Sequence, residues 1–177
     1  MKKLKLQELG RMNLEDYKAS EKLPLVLVLD NIRSHHNVGS AFRTADALGV
    51  EKLLLAGFTP IPPHREIQKT ALGATLSVEW SHNSSIEELI KNLKNDGYTI
   101  VIIEQTDDSK RLDEYTPQKG QKIALVFGNE VNGVSDELLS LADLAVEIPQ
   151  FGTKHSYNVS VCIGIVGWDI SSKIRRS

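Results

Sequence analysis

A short segment in the first third of the chain, NVGSAFRTA over residues 37–45, combines residue types that could bind a phosphate or a nucleotide. Gly39 would allow a ligand to approach the backbone closely, and the Asn37 amide can both donate and accept hydrogen bonds. Ser40 is a residue type that caps helices, and the Arg43 guanidinium could bind a phosphate or carboxylate through two parallel hydrogen bonds. A capped helix with a surface arginine is the alternative explanation of the same pattern.

A second polar segment, FGNEVNGVSDEL over residues 127–138, follows an apolar run and contains two glycines. A loop of this composition can present backbone amides to a ligand, while the Glu130 carboxylate accepts hydrogen bonds from hydroxyl or amine groups. The chain contains neither the GK[ST] ending of a phosphate-binding loop nor the dinucleotide fingerprint GxGxxG. A plain connection between a strand and a helix is the alternative to a ligand-binding loop.

A third segment, IPQFGTKHSYNVSV over residues 148–161, precedes the last predicted helix. Three polar side chains crowd the start of that helix: Ser156, Asn158 and Ser160. Either Ser156 or Asn158 can act as the helix cap, because both residue types are favoured at that position. The polar groups that are not needed for capping favour a ligand-binding role.

The segments between these polar stretches predict the elements that must position them. Five apolar runs lack the alternation of half-exposed strands and therefore predict strands that are covered on both faces, at residues 25–29, 52–58, 99–104, 122–128 and 144–149. Residues 75–80, TLSVEW, do alternate and predict an edge strand. Helices are expected over residues 40–48, 85–95 and 135–142, with a loop at residues 59–64.

Strands that alternate with helices in this way predict an α/β fold with a mostly parallel sheet flanked by helices. We expect an N-terminal arm over residues 1–20, followed by a single domain over residues 21–177. Ligands of such sheets bind beyond the carboxyl ends of the strands, so the three polar segments are expected to face one crevice.

The last predicted helix is apolar on almost every side. Val159, Ile163 and Val166 follow one helical face, whereas Ile165 and Trp168 occupy another. A helix of this kind must be buried on several sides, either within one chain or against a second subunit.

The composition limits the class of protein. Hydrophobic residues at 41%, charged residues at 25% and a net charge of -2 are typical of a globular protein that binds any nucleic acid through local basic patches. The candidate cations are Lys2, Lys3, Lys5, Arg11, Arg65, Lys69, Lys154, Lys173, Arg175 and Arg176. The single cysteine, Cys162, excludes an intrachain disulfide and a cysteine-rich metal site, so no metal is expected. No apolar run is long enough to cross a membrane, and a cytoplasmic location is expected.

The three segments, in this order and spacing, resemble the three motifs of the SpoU/TrmH family of RNA ribose 2′-O-methyltransferases in the SPOUT superfamily. The segment KTALGA at residues 69–74 is similar to the stretch that usually lies between the first two motifs, and the resemblance spans residues 25–170. It implies an α/β domain with a C-terminal deep trefoil knot, S-adenosyl-L-methionine as the methyl donor and a homodimer.

The resemblance also assigns roles to individual residues. Arg43 matches the family's catalytic arginine, and Asn37, Glu130, Ser156 and Asn158 complete its polar set. Because a guanidinium is a poor general base, we expect Arg43 to hold a phosphate and stabilise the developing alkoxide. The residues expected to bind the cofactor are Phe127, Gly128, Asn129, Glu130, Ile148, Gln150, Gly152, Ser156, Tyr157 and Val159.

The chain has no room for the additional N-terminal domain of several rRNA-modifying relatives, which favours tRNA as the substrate and leaves rRNA as the alternative. The pair His35–His36 could contact RNA or be surface residues without a role. A non-catalytic RNA-binding protein of the same fold is a second hypothesis. An NAD-dependent oxidoreductase is disfavoured because the glycine fingerprint is absent.

Overall fold

The computed structural model describes residues 1–176, and within them seven strands form one sheet in which every neighbouring pair is parallel. The strands are β1 (Leu23–Asp30), β2 (Val50–Ala56), β3 (Trp80–Asn83), β4 (Thr99–Ile103), β5 (Lys110–Arg111), β6 (Ile123–Phe127) and β7 (Leu144–Glu147). Their order across the sheet is β3-β2-β1-β6-β4-β7-β5. This architecture confirms the predicted α/β class and mostly parallel sheet. Ser177, the last residue of the predicted domain, lies outside the described residues.

Helices cover both faces of this sheet. They are α1 (Leu14–Ala19), α2 (His35–Leu48), α3 (Arg65–Ala71), α4 (Ala74–Ser77), α5 (Ile86–Asn95), α6 (Asp136–Leu141) and α7 (Val159–Arg176), after a 3-10 helix at Leu6–Leu9. In the predicted N-terminal arm, the Tyr17 hydroxyl of α1 donates a hydrogen bond to the Asp46 carbonyl of α2 at 3.0 Å. The arm is therefore attached to the domain through α1.

The apolar run of β1 shows why the sheet is covered on two sides. Leu25, Leu27 and Leu29 lie in a core cluster with residues of α2 and α7, whereas Val26 and Val28 lie in a second cluster with residues of α5 and α6. All five side chains are fully buried. Each such side chain contributes roughly 1.5–3 kcal/mol through burial, so both clusters hold the central strand in place.

Two sequence predictions for this half of the chain were wrong. Residues 75–80 do not form a strand, because Gly73 at φ 91° starts the short helix α4 and the edge strand begins at Trp80. Helix α2 begins at His35 rather than at residue 40, and its cap is Ser34, whose hydroxyl accepts from the Asn37 N–H at 3.3 Å. Ser40 therefore lies inside the helix and caps nothing.

Gly39 lies within α2, where it permits close contact between helices rather than between the backbone and a ligand. A Cβ atom at this position would fall far inside contact distance of Thr70 Oγ1 and the Ile67 carbonyl oxygen, both in α3. The glycine therefore fixes the distance between α2, which carries the first polar segment, and α3.

We expect Gly39→Ala to lower the free energy of unfolding by about 2 kcal/mol, because the added methyl group must displace α3. Chemical denaturation measures this change. Gly152→Ala is the matched control, since a Cβ atom there meets nothing within 4 Å; we expect its effect to stay within about 0.5 kcal/mol. Equal stability of the two variants would contradict the packing role of Gly39.

Helix α7 presents two different apolar faces. Val159, Ile163 and Val166 are buried against the core, whereas Ile165 and Trp168 are exposed, Trp168 by 68%. Burial within one chain therefore does not account for the apolar residues on the second face. The described helices include none that is both long and apolar enough to cross a membrane.

Candidate functional site

The Glu130 carboxylate connects the second polar segment to the start of α2. It accepts hydrogen bonds from the backbone N–H groups of Arg33 at 2.9 Å and Ser34 at 3.3 Å. It also accepts one from the Asn37 side-chain amide at 3.0 Å. Because these donors come from one helix start, a single carboxylate fixes the first two predicted motifs relative to each other.

Asn37 extends this network to the third segment. Its side-chain oxygen accepts a hydrogen bond from Asn158 Nδ2 at 3.3 Å. The Asn158 side-chain oxygen accepts from the Ser160 N–H at 2.9 Å and from its hydroxyl at 2.6 Å, so Asn158 caps α7. The three segments meet through Glu130, Asn37 and Asn158, as expected from strands that end at one edge of a parallel sheet.

The loop after β6 is held by its own backbone and by the residue that follows β1. Asn129 and Gly133 exchange two backbone hydrogen bonds of 2.8 and 2.9 Å, and the Asn129 side-chain amide donates to the Asn31 carbonyl at 2.6 Å. A Cβ atom on Gly128 would collide with the backbone of Gly133 and Val134. Gly128 is therefore required for the tight closure of this loop.

The pKa values of two carboxyl groups, Glu130 and Asp30, are shifted in opposite directions. Burial acts to raise the pKa of Glu130, but the hydrogen bonds from Arg33, Asn37 and Ser34 together hold that pKa below its ordinary value. Glu130 is thus ionised at neutral pH. Burial raises the pKa of the Asp30 carboxyl, which is partly opposed by hydrogen bonds from the Ser135 N–H and the Asn31 amide.

A cavity of about 670 Å³ lies at the ends of β4, β6 and β7, next to this network. This volume is typical of sites for small molecules and cofactors. Nine of the ten residues predicted to bind the cofactor line it, namely Phe127, Gly128, Asn129, Glu130, Ile148, Gln150, Ser156, Tyr157 and Val159. The tenth, Gly152, is exposed and does not line the cavity.

The predicted catalytic residues are divided between two places. Glu130, Ser156 and Asn158 line the cavity, and Asn37 contacts two of them through hydrogen bonds. Arg43 instead lines a groove between α2, α3 and α7, together with Lys69 and Trp168. Within residues 1–176, the Arg43 side chain has no hydrogen bond or ion pair.

Two residues that shape the cavity were not predicted from the sequence. The Glu104 carboxylate accepts hydrogen bonds from the Val134 N–H at 3.0 Å and the Gln105 N–H at 2.9 Å. Cys162, interpreted as a small buried hydrophobe, also lines the cavity, and burial raises the pKa of its thiol to about 12. The signal for Glu104 was its place directly after a buried strand, but no glycine marks the loop that follows.

Known proteins share both the sequence and the fold. The chain is 35% identical over 143 residues to the 23S rRNA (guanosine-2′-O-)-methyltransferase RlmB of Neisseria meningitidis, an alignment that covers 81% of this chain and 56% of that protein. The curated relatives that align with the chain are longer, and it spans 56% to 68% of the length of three of them.

Solved structures agree with this similarity. A TrmH/SpoU tRNA modifying enzyme from A. aeolicus superposes with a TM-score of 0.81 at 26% identity, covering 92% of this chain and 83% of that one. An AdoMet-bound rRNA methyltransferase from Sinorhizobium meliloti superposes with a TM-score of 0.79 at 25% identity, covering 90% of this chain and 59% of that one. The model of the SpoU rRNA Methylase family matches residues 24–168, and the chain belongs to that family.

Proposed function

We propose that this protein transfers a methyl group from S-adenosyl-L-methionine to a ribose 2′-hydroxyl of RNA. The observation that carries the proposal is the network of Glu130, Asn37 and Asn158, which joins all three motifs beside a cavity of cofactor size. A relative named as a 2′-O-methyltransferase and a structural neighbour that contains AdoMet support the reaction and the donor.

When bound, the donor supplies an electrophilic methyl group on a sulfonium centre. That methyl group would pass to the ribose oxygen with loss of the hydroxyl proton, and Phe127, Ile148 and Gln150 are among the residues that would hold the donor in the cavity. The residues that line the cavity must hold the methyl group in line with this oxygen and exclude competing nucleophiles. Ser156 and Asn158, which line the cavity just before α7, would position the reacting groups.

Glu130 orients the site rather than acting as a base. Its two oxygens already accept three hydrogen bonds from the start of α2, and its lowered pKa makes it a weak proton acceptor. The carboxylate therefore fixes Asn37 and the backbone at Arg33. Arg43 holds the RNA phosphate and stabilises the developing charge on the ribose oxygen.

The active unit in this proposal is a homodimer that packs through the second face of α7. This face consists of Val161, Ile165 and Trp168, all exposed at helical spacing, and Arg43 lies beside Trp168. In a two-fold interface with antiparallel α7 helices, Trp168 at one end of this face lies against Val161 at the other end of the same face in the second copy. Since the start of α7 lines the cavity, Arg43 of one chain would complete the site of the other.

The proposal includes the C-terminal trefoil knot. The loop after β6 and the segment between β7 and α7 both line the cavity, which supports a threaded arrangement of the two segments around the donor. Similarity to the solved TrmH/SpoU enzyme supports it as well. An experimental electron-density map in which residues 148–158 pass outside every preceding loop would exclude the knot.

We propose tRNA as the substrate, with rRNA as the alternative, because the A. aeolicus neighbour is described as a tRNA modifying enzyme. The purified protein, supplied with labelled donor and unmodified tRNA or rRNA, is expected to methylate one of these RNAs. Mass spectrometry of digested RNA should find the label on a ribose. Label on a base, or none on either RNA, would overturn the proposed reaction; RNA binding without transfer would favour the non-catalytic alternative.

A further inference from the structure

We propose that Phe58, in the turn after β2, is a stacking platform for an RNA base next to the methylated nucleotide. The proposal rests on the function proposed above and extends it to how the substrate is held. Phe58 is 63% exposed, although it lies only two residues after a strand whose last residues are buried. Proteins that bind single-stranded nucleic acid use exposed aromatic side chains as surfaces on which bases stack.

The turn that carries Phe58 is rigid. The Phe58 N–H donates to Asn31 Oδ1 at 3.1 Å, and the Gly57 N–H donates to the Asn83 carbonyl at 3.0 Å. On the other side, the buried Thr59 hydroxyl donates to the Ala56 carbonyl at 2.7 Å and accepts from the Ile32 N–H at 3.0 Å. Both neighbours of Phe58 are therefore fixed, and a base that stacks on the ring orders little additional backbone.

Asn31 connects this turn to the proposed donor site. Its side-chain oxygen accepts from Phe58, while its carbonyl oxygen accepts from the Asn129 side chain in the loop after β6. Since β2 and β6 are the two neighbours of β1, their ends lie about 10 Å apart along the sheet edge. The cavity begins at the end of β6 and extends toward β4 and β7, so about 10 Å is the shortest separation between the turn and the cavity along the sheet edge. In the proposal, the nucleotide next to the bound ribose spans this separation.

The chain segments on either side of the turn carry cations that favour a polyanionic partner: Arg33 follows Asn31, and Arg65 and Lys69 lie in α3. Arg33, Arg65 and Lys69 have no ion pair in the described part of the chain, and the nearby acid Glu66 is paired with His36 at 2.8 Å. By contrast, lysines of β2 and α5 are neutralised: Lys52 pairs with Glu79, and Lys94 pairs with Asp143. Cations without ion pairs on the segments that flank an exposed aromatic ring are the combination by which proteins bind single-stranded RNA.

Three variants of Phe58 test the platform. We expect Phe58→Ala and Phe58→Leu to lower kcat/KM for RNA and to weaken RNA binding about tenfold, because stacking of one base is lost. Phe58→Trp should retain both values. The affinity for S-adenosyl-L-methionine and the thermal midpoint should stay unchanged in all three. Leu76→Ala removes a side chain of similar exposure, 64%, and serves as the control.

Substrates with an abasic nucleotide on either side of the methylated position add a second test. The wild type should methylate one of these substrates about tenfold more slowly than the intact RNA. With that substrate, Phe58→Ala should not lower the rate further, because the missing base and the missing ring remove the same stacking contact. Wild-type behaviour of Phe58→Leu, or additive losses with both abasic substrates, would overturn the platform. Absence of methyl transfer by the wild type would instead overturn the proposed function. In that case, the RNA affinities of the wild type and the Phe58 variants, measured without donor, would still test the platform.

Discussion

Replacing Arg43 by alanine is expected to reduce methyl transfer by at least about 100-fold, because in the proposed mechanism the ribose oxygen would lose a charge-stabilising partner. Donor affinity should change by no more than a few-fold, since Arg43 does not line the cavity. Steady-state kinetics with RNA and calorimetry with S-adenosyl-L-methionine measure the two quantities. Arg11→Ala, which removes an exposed arginine of the N-terminal arm, should leave kcat unchanged. A fully active Arg43→Ala protein would remove Arg43 from the mechanism.

Mixed dimers show which chain supplies the arginine. In a dimer of one Arg43→Ala chain and one Glu130→Ala chain, a site shared between subunits leaves one cavity intact beside one intact arginine. Random mixing should therefore restore about a quarter of the wild-type activity, because half of the dimers carry one functional site of two. If both residues act within one chain, mixing would restore no activity.

Replacing Trp168 by glutamate is expected to convert the protein to monomers and to abolish methyl transfer. The two-fold interface would then bury two carboxylates without partners, which destabilises the dimer by several kcal/mol. Burial of the remaining apolar residues on the second face of α7 cannot offset this loss. Analytical ultracentrifugation measures the change in mass, and kinetics at several protein concentrations should show activity lost together with the dimer.

Leu76→Glu is the matched control, because Leu76 is exposed to a similar extent but lies in α4 rather than α7. Its variant should remain dimeric. A dimeric and active Trp168→Glu protein would contradict both the interface and the shared site, whereas a monomer with full activity would contradict only the shared site.

The sheet could be predicted well because each central strand is apolar on both sides. Runs such as residues 25–29 are apolar at every position because α2 and α7 cover one face of the sheet and α5 and α6 cover the other. Short elements with weak patterns could not be assigned. Residues 74–77 form one helical turn after the left-handed Gly73, and four residues are too few to distinguish helix from strand periodicity.

For the site, the convergence of three loops followed from strand direction, but the contacts between them did not. Asn37 could be interpreted as a ligand-binding amide, whereas the structure shows it bonded to Glu130 and Asn158. Gly39 was assigned to ligand approach because sequence cannot show that α3 packs on it. The distance of Arg43 from the cavity was also unpredictable, because it depends on how α2 is oriented on the sheet.

Helix α7 constrains how this protein can diverge. Asn158 binds Asn37 just before its first turn, Ile163 and Val166 fill the core, and Trp168 lies on its outer face. Because all of these contacts constrain the same helix, few amino-acid replacements along it are expected to be neutral. Paralogues that acquire new target RNAs are therefore expected to accumulate their differences in the turn after β2 and in the N-terminal arm, where drift leaves the core intact.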